Sequence, residues 1–206
     1  MNFEKLFKIL IGITALTGLV FEFINHVSKG THPLELLTYF TIQSNIIVII
    51  YCFSSLREKS FFFNGPGFAG LAILNITITG IIFFLTLRKI YNPTGIGYYA
   101  NIIEHYAVPA MMLVDFLLSK TREAFRYFHI APWIGYAACY LVLALIKGAS
   151  GYKYPYPFLD ISTHGGGQVF INVVVIGLAF GVIAAGLVAV DRWLKKGREK
   201  ETLTPG

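Results

Sequence analysis

Apolar residues gather in six windows along this chain, at 5–26, 34–56, 66–87, 97–118, 130–147 and 166–190. Each is close to the ~20 residues that a helix needs to cross bilayer hydrocarbon. Between them stand Thr31-His32-Pro33, Asn64-Gly65-Pro66-Gly67, Asn92-Pro93-Thr94-Gly95 and Gly165-Gly166-Gly167, all turn or breaker sequences. The first window is longer than a signal-peptide core and lacks a small-residue cleavage site, so it reads as a span. The pattern predicts an all-α polytopic membrane protein, with residues 1–206 forming one bundle of six transmembrane helices and no separate water-soluble domain.

Composition agrees. The chain is 55% hydrophobic and 14% charged, with a mean hydropathy of +0.64, whereas soluble domains carry roughly 25% charge. Cys52 and Cys139 fall inside apolar windows and read as small buried hydrophobes. No metal spacing involves them, no cofactor motif occurs, and no basic motif for nucleic acid is present. The expected surroundings are the membrane and its lipids, with no cofactor and no metal. The oligomeric state is not encoded in any feature of the pattern.

Six spans put both termini on one side. That side, with the second and fourth loops, holds Lys5, Lys8, Arg57, Lys59, Lys120, Arg122, Arg126, Arg192, Lys195, Lys196, Arg198 and Lys200, 12 of the 17 basic residues; Lys29, Arg88, Lys89, Lys147 and Lys153 lie on the other. Positive loops stay inside, so both termini are expected in the cytoplasm.

Polar residues inside the windows narrow the function. The fourth carries Asn101, Glu104, His105 and Asp115 on one broad helical face, with Pro109 expected to free the His105 carbonyl and kink the helix. Ionisable groups in a bilayer usually face the bundle interior. The second window opens with Thr41-Ile42-Gln43-Ser44-Asn45, and the sixth carries Gln168 and Asn172. Interhelical hydrogen bonding is the ordinary use of such side chains. In the expected orientation, however, Thr41 and His105 lie at one depth, roughly 10–12 Å from the outer end at ~1.5 Å per residue, and Asn172 is near that level. Above them runs the longest loop, with Tyr152, Tyr154, Tyr156 and Phe158 interleaved with Pro155 and Pro157. It reads as an interfacial aromatic belt or as a lid.

A hydroxyl beside an imidazole is the core of nucleophilic acyl transfer. Thr41 is the candidate nucleophile and His105 the candidate base. Asn45 is the first choice for holding the oxyanion or the hydroxyl, with Gln43, Ser44 and Asn101 as alternates. Glu104, Asp115 and Asn172 are candidate supporting polar groups, and Tyr154, Tyr156 and Phe158 candidate lid residues.

Three pieces, Tyr39-Phe40-Thr41, His105-x-x-Val108-Pro109 and Tyr156-Pro157-Phe158-Leu159, resemble the androgen-induced protein and androgen-dependent TFPI-regulating protein family in order and spacing. That resemblance implies a six-span intramembrane threonine hydrolase acting on fatty acid esters of hydroxy fatty acids, with Thr41 and His105 in the nucleophile and base positions. Shorter loops and the acidic Glu104 depart from the family pattern. The other reading is a non-enzymatic transporter or channel, in which Glu104, His105 and Asp115 relay protons or cations.

Overall fold

The structure is a computed structural model and describes residues 3–57, 62–119 and 123–203. Lys59, Lys120 and Arg122, which enter the charge asymmetry, lie outside the described residues. Among the described residues there is no strand, and seven α-helical segments follow one another: α1 (Phe3–Ser28), α2 (Phe40–Ser54), α3 (Pro66–Ile82), α4 (Ile96–Ile102), α5 (Val108–Leu118), α6 (Ile130–Ala149) and α7 (Ile161–Leu203). A π turn, Phe83–Leu87, prolongs α3, and a second, Ile103–Ala107, joins α4 to α5 in one rod.

Five helical rods are long and apolar enough to cross a membrane: Phe3–Ser28, Pro66–Leu87, Ile96–Leu118, Tyr127–Ala149 and Ile161–Arg198. The chain is thus an α-helical protein of membrane type. Its outer surface agrees, because Phe170, Leu178 and Val182 of α7 stand exposed along with many other large apolar side chains, and an apolar surface of this extent calls for apolar surroundings.

The window at 34–56 behaves differently. Pro33–Thr38 forms a 3-10 turn, Tyr39 is extended (φ −93°, ψ 130°), and α2 proper has only 15 residues. Side chains hold the carbonyls that a continuous helix would use. The Gln43 amide donates to the Leu37 carbonyl at 2.7 Å, and the Tyr140 hydroxyl donates to the Thr38 carbonyl at 2.9 Å. As a consequence Thr41 sits in the first turn of α2, not seven residues into an unbroken span. In α7 the break comes at Gly165 (φ 74°, ψ 155°), a backbone region that glycine enters without a Cβ penalty; the helix that follows begins where the sixth apolar window begins.

The innermost helix is α3: 67% of its apolar window is buried, against 33% at most in the other four long rods. Small residues let its neighbours close in. A Cβ on Gly70 would fall within the Trp133 indole, whose Nε1–H donates to the Gly67 carbonyl at 2.6 Å. On α1, a Cβ at Gly18 would stand 2.7 Å from Ile103 and 3.1 Å from Glu104, so the second π turn lies directly on α1.

Away from the site, Lys8 of α1 forms a buried salt bridge with Asp115 of α5, its Nζ 5.4 Å from the centre of the Tyr51 ring. At the same end the Asp191 carboxylate accepts the Phe125 N–H at 2.6 Å, and Arg198 donates to the Leu117 and Ser119 carbonyls, satisfying acceptors left over at the end of α5. Cys52 is buried as expected, whereas Cys139 is exposed on the outer face of α6.

Candidate active site

Thr41 enters the interior because α2 starts at Phe40 and turns its first residues toward α3 and the π turn Ile103–Ala107. Only 7% of the residue is exposed. Its position in the first helical turn has a chemical consequence, since the leading N–H groups of a helix have no partner within it. The N–H of Thr41 is taken by a side chain from far along the chain: it donates to the Tyr156 hydroxyl at 3.2 Å.

His105 is presented by the π turn Ile103–Ala107. Pro109 lacks the N–H that would bond the His105 carbonyl in an α-helix. The expected disturbance at Pro109 therefore takes the form of a widened turn. Space for it comes from Gly80 of α3, where a Cβ would be 3.2 Å from the His105 carbonyl oxygen. The other π turn faces it, and Phe83 stacks on the His105 ring with centroids 4.0 Å apart and planes at 29°. π turns of this kind recur at functional sites.

The ring is oriented for accepting a proton. Nδ1 lies 3.2 Å from the Asn101 carbonyl oxygen, and Nε2 lies 3.3 Å from Thr41 Oγ1. A carbonyl only accepts, so the proton belongs on Nδ1 and the Nε2 lone pair faces the Thr41 hydroxyl. The hydroxyl then donates to Nε2. At 3.3 Å this contact is longer than a good O–H···N bond, as such contacts often are before substrate binds.

The remaining candidates from the sequence divide sharply. Asn45 does not point at the Thr41 hydroxyl; its Nδ2 donates to the Thr41 backbone carbonyl at 2.9 Å, one turn back along α2. Ser44 donates to the Phe40 carbonyl at 2.7 Å and accepts from Thr79 at 3.2 Å, so it joins α2 to α3. Gln43 holds the Leu37 carbonyl and accepts from the Tyr136 hydroxyl at 2.6 Å. Asn101 serves the site through its backbone carbonyl, while its side-chain Oδ1 is buried without a partner. Glu104, 3% exposed, has a partnerless Oε1. Asp115 is not beside His105: ten residues further along the rod, it is engaged by Lys8. Asn172 donates to the Phe158 carbonyl at 2.9 Å and accepts from Gln168, so it anchors the aromatic loop instead of entering the site. Tyr154 packs its ring on Gly148, away from Thr41.

Tyr156 has more to do than cover the site. Its hydroxyl is 3.4 Å from Thr41 Oγ1 as well as 3.2 Å from the Thr41 nitrogen. Since the Thr41 N–H already donates to that oxygen, the phenolic proton is left for an acceptor beside it, Thr41 Oγ1 or the Tyr140 hydroxyl oxygen with which Tyr156 also hydrogen-bonds. Phe158 stacks nearly parallel on the ring at 5.2 Å and Tyr39 meets it edge-on at 6.3 Å. The sequence signal for this role was the bracketing of Tyr156 by Pro155 and Pro157, which stiffens the loop that carries it. The loop's end is fixed too, because Asp160 accepts from the backbone and hydroxyls of Ser162 and Thr163 at the start of α7. Those hydroxyl donors hold the exposed Asp160 carboxyl below its usual range.

Thr41, His105, Phe83, Leu87 and Tyr156 line two cavities at once. The first, about 170 Å³, is walled by apolar groups including Phe40, Ile134, Leu141, Ile176 and Phe180. The second, about 460 Å³, is polar and includes Glu22, His26, Lys29, Asn101, Glu104 and Lys153. Tyr91, in the segment between the π turn after α3 and α4, also lines the polar cavity, and burial pushes its phenol up to about 12, leaving it a neutral donor. No cluster of three or more His, Cys, Asp or Glu suited to a metal occurs among the described residues. Set against protein-family models, curated proteins and solved structures, the chain matches none of them.

Proposed function

We propose that this chain is an intramembrane hydrolase of long-chain acyl esters, built as a six-span bundle with α2 as its short sixth span and both termini cytoplasmic, in a bacterial inner membrane. The observation that carries the reading is the Thr41 Oγ1–His105 Nε2 contact of 3.3 Å, with the imidazole held through Nδ1, at the junction of an apolar and a polar cavity. The resemblance to the androgen-induced protein family points the same way and offers fatty acid esters of hydroxy fatty acids as the model substrate.

The acyl chain lies in the apolar cavity, reached sideways from lipid, and the alcohol portion lies in the polar one. Thr41 Oγ1 attacks the ester carbonyl as its proton passes to His105 Nε2. The resulting oxyanion takes a hydrogen bond from the Tyr156 hydroxyl. Collapse breaks the bond to the alcohol oxygen, which leaves with the proton from His105. Water, entering from the polar cavity, gives a proton to His105 and its oxygen to the acyl carbon. The acyl–Thr41 bond then breaks, Thr41 recovers its proton, and the fatty acid departs. Asn101 acts through its carbonyl by fixing the tautomer.

The relay reading has less behind it, because its cytoplasmic member, Asp115, is tied to Lys8. The deciding experiment is release of fatty acid from a branched lipid ester by purified protein in liposomes, together with labelling by a fluorophosphonate probe. Activity and labelling that vanish in Thr41→Ala support the reading. Full activity in well-expressed Thr41→Ala removes the nucleophile. Cysteine-accessibility tagging tests the orientation, and a C-terminal tag reached only from outside would overturn it.

A further inference from the structure

The polar cavity has a chemical bias of its own. Three residues of its wall each carry a buried polar atom without a partner: Glu104 Oε1, Asn101 Oδ1 and His26 Nε2. The first two are acceptors, and the third is an acceptor in the neutral tautomer protonated at Nδ1. Glu104 is 3% exposed and His26 8%. The Glu22 carboxylate adds a further acceptor to the same wall, with Asn25 donating to it at 3.1 Å. A buried polar atom without a partner is costly, so a wall carrying several acceptors is suited to a ligand that brings several donors.

Charge is graded in the same sense. The acidic groups Glu22 and Glu104 lie within the bundle, whereas Lys29 and Lys153 are exposed at the mouth, with Glu35 exposed beside them. An incoming anion would meet the lysines first and the acids last. A cation seated deep in the cavity would face Glu22, Glu104 and the partnerless acceptors, with the aromatic rings of Tyr39 and Tyr91 on the same wall.

We propose that the polar cavity is a subsite for an ammonium group, so that the ester cleaved at Thr41 is the fatty acyl ester of an amino alcohol with its ammonium close to the ester oxygen. This rests on the hydrolase reading for the identity of the reaction, but the subsite itself is independent of it. An ammonium supplies three N–H donors, which suits Glu104, Asn101 and His26. A carboxylate in the same place would add acceptors to acceptors. Any anionic group carried beyond the ammonium would reach Lys29 and Lys153.

The test separates binding from catalysis. Octylammonium, octanoate and octanol share one chain and differ only at the polar end. Their binding to the full-length protein in a non-ionic detergent is followed by the shift in Tm, with no ester present. Octylammonium is expected to bind at least ~10-fold more tightly than either other probe, a preference of about 1.4 kcal/mol. Glu104→Gln and Glu22→Gln should each reduce that preference, with octanol binding in the same variants serving as the check on folding. Equal binding of the three probes, or tighter binding of octanoate, overturns the subsite whatever the protein hydrolyses. Octylammonium preference with no Thr41-dependent hydrolysis of any ester keeps the subsite and removes the hydrolase.

Discussion

Replacing Tyr156 by Phe removes one oxygen and leaves the ring, so it isolates the hydroxyl that lies 3.2 Å from the Thr41 nitrogen and 3.4 Å from its Oγ1. Two roles for that hydroxyl differ in magnitude. If it only accepts the otherwise unpaired Thr41 N–H, its loss costs one neutral hydrogen bond, about 1 kcal/mol, and the effect falls mainly on stability. If its proton stabilises the oxyanion, the loss falls on turnover, typically ~10²–10³-fold, about 2.7–4 kcal/mol. The stack on Phe158 and the edge contact with Tyr39 do not depend on the hydroxyl and should hold the Phe ring in place.

The geometry favours the second role. The phenolic oxygen is occupied as an acceptor, and the hydroxyl lies within reach of Thr41 Oγ1, the proposed nucleophile, which would donate to His105. Tyr156→Phe should therefore lower kcat for a long-chain ester by ~10²–10³ with KM little changed, since the interaction is made in the transition state. The assay is fatty acid release under single-turnover and steady-state conditions, paired with thermal unfolding of both proteins in the same detergent. A fall in kcat below ~10-fold, with Tm reduced, would refute the oxyanion role and leave Tyr156 a cap on the first turn of α2.

Thr41→Ala and His105→Ala should each bring hydrolysis near background, and the double variant should be little worse than either, because groups acting as one unit are not additive; additive losses in the same release assay would count against a shared step. Lys8→Met alone leaves Asp115 buried without its partner and should destabilise by about 3–5 kcal/mol, whereas Lys8→Met with Asp115→Leu should recover most of that, as read from chemical or thermal unfolding. Asp160 has its carboxyl pKa depressed in the fold, so its contribution to stability is complete above the ordinary carboxylate range and is lost as pH falls through the folded value. The Tm difference between the native protein and Asp160→Asn should accordingly shrink as pH drops toward 3, and a difference that grew on acidification would refute the assignment. Gly70→Ala would force the Trp133 ring aside and should cost about 1–3 kcal/mol, measurable by the same unfolding.

The sequence made the helical plan readable because apolar windows of ~20 residues have few alternatives. It made Thr41 and His105 readable together because the expected orientation sets both at one depth on spans that run in one direction. The same method misplaced Asn45. Helical periodicity puts Asn45 on the Thr41 face, but it does not say that a short amide at i+4 will bond the carbonyl of residue i, which is what the Asn45 amide does. Asp115 was misread for a related reason. Its partner, Lys8, is 107 positions earlier, and only the packing of α1 on α5 brings the two together. Tyr156 was legible as an aromatic in a stiff loop, but the 115 residues separating it from Thr41 hid the hydroxyl contact.

The break at Tyr39 connects these results. An unbroken span from residue 34 would bond the Thr41 N–H within the helix and leave Tyr156 nothing to cap. Breaking the helix there exposes the first turn of α2 to the interior, and the side chains that hold the Leu37 and Thr38 carbonyls, Gln43 and Tyr140, keep it broken. In hydrocarbon an exposed helix start is expensive unless it is satisfied by protein or water. The same feature sets the proposed nucleophile on a helix N-terminus, where partial positive charge favours a developing oxyanion. Gln43, named from the sequence as a possible oxyanion donor, thus acts one step back by holding the turn that presents Thr41. Gln43→Leu should then reduce kcat through a displaced Thr41 even though Gln43 makes no contact with Thr41 Oγ1, and Gln43→Glu, which keeps an acceptor for Tyr136 but offers no amide to Leu37, should fail to restore it.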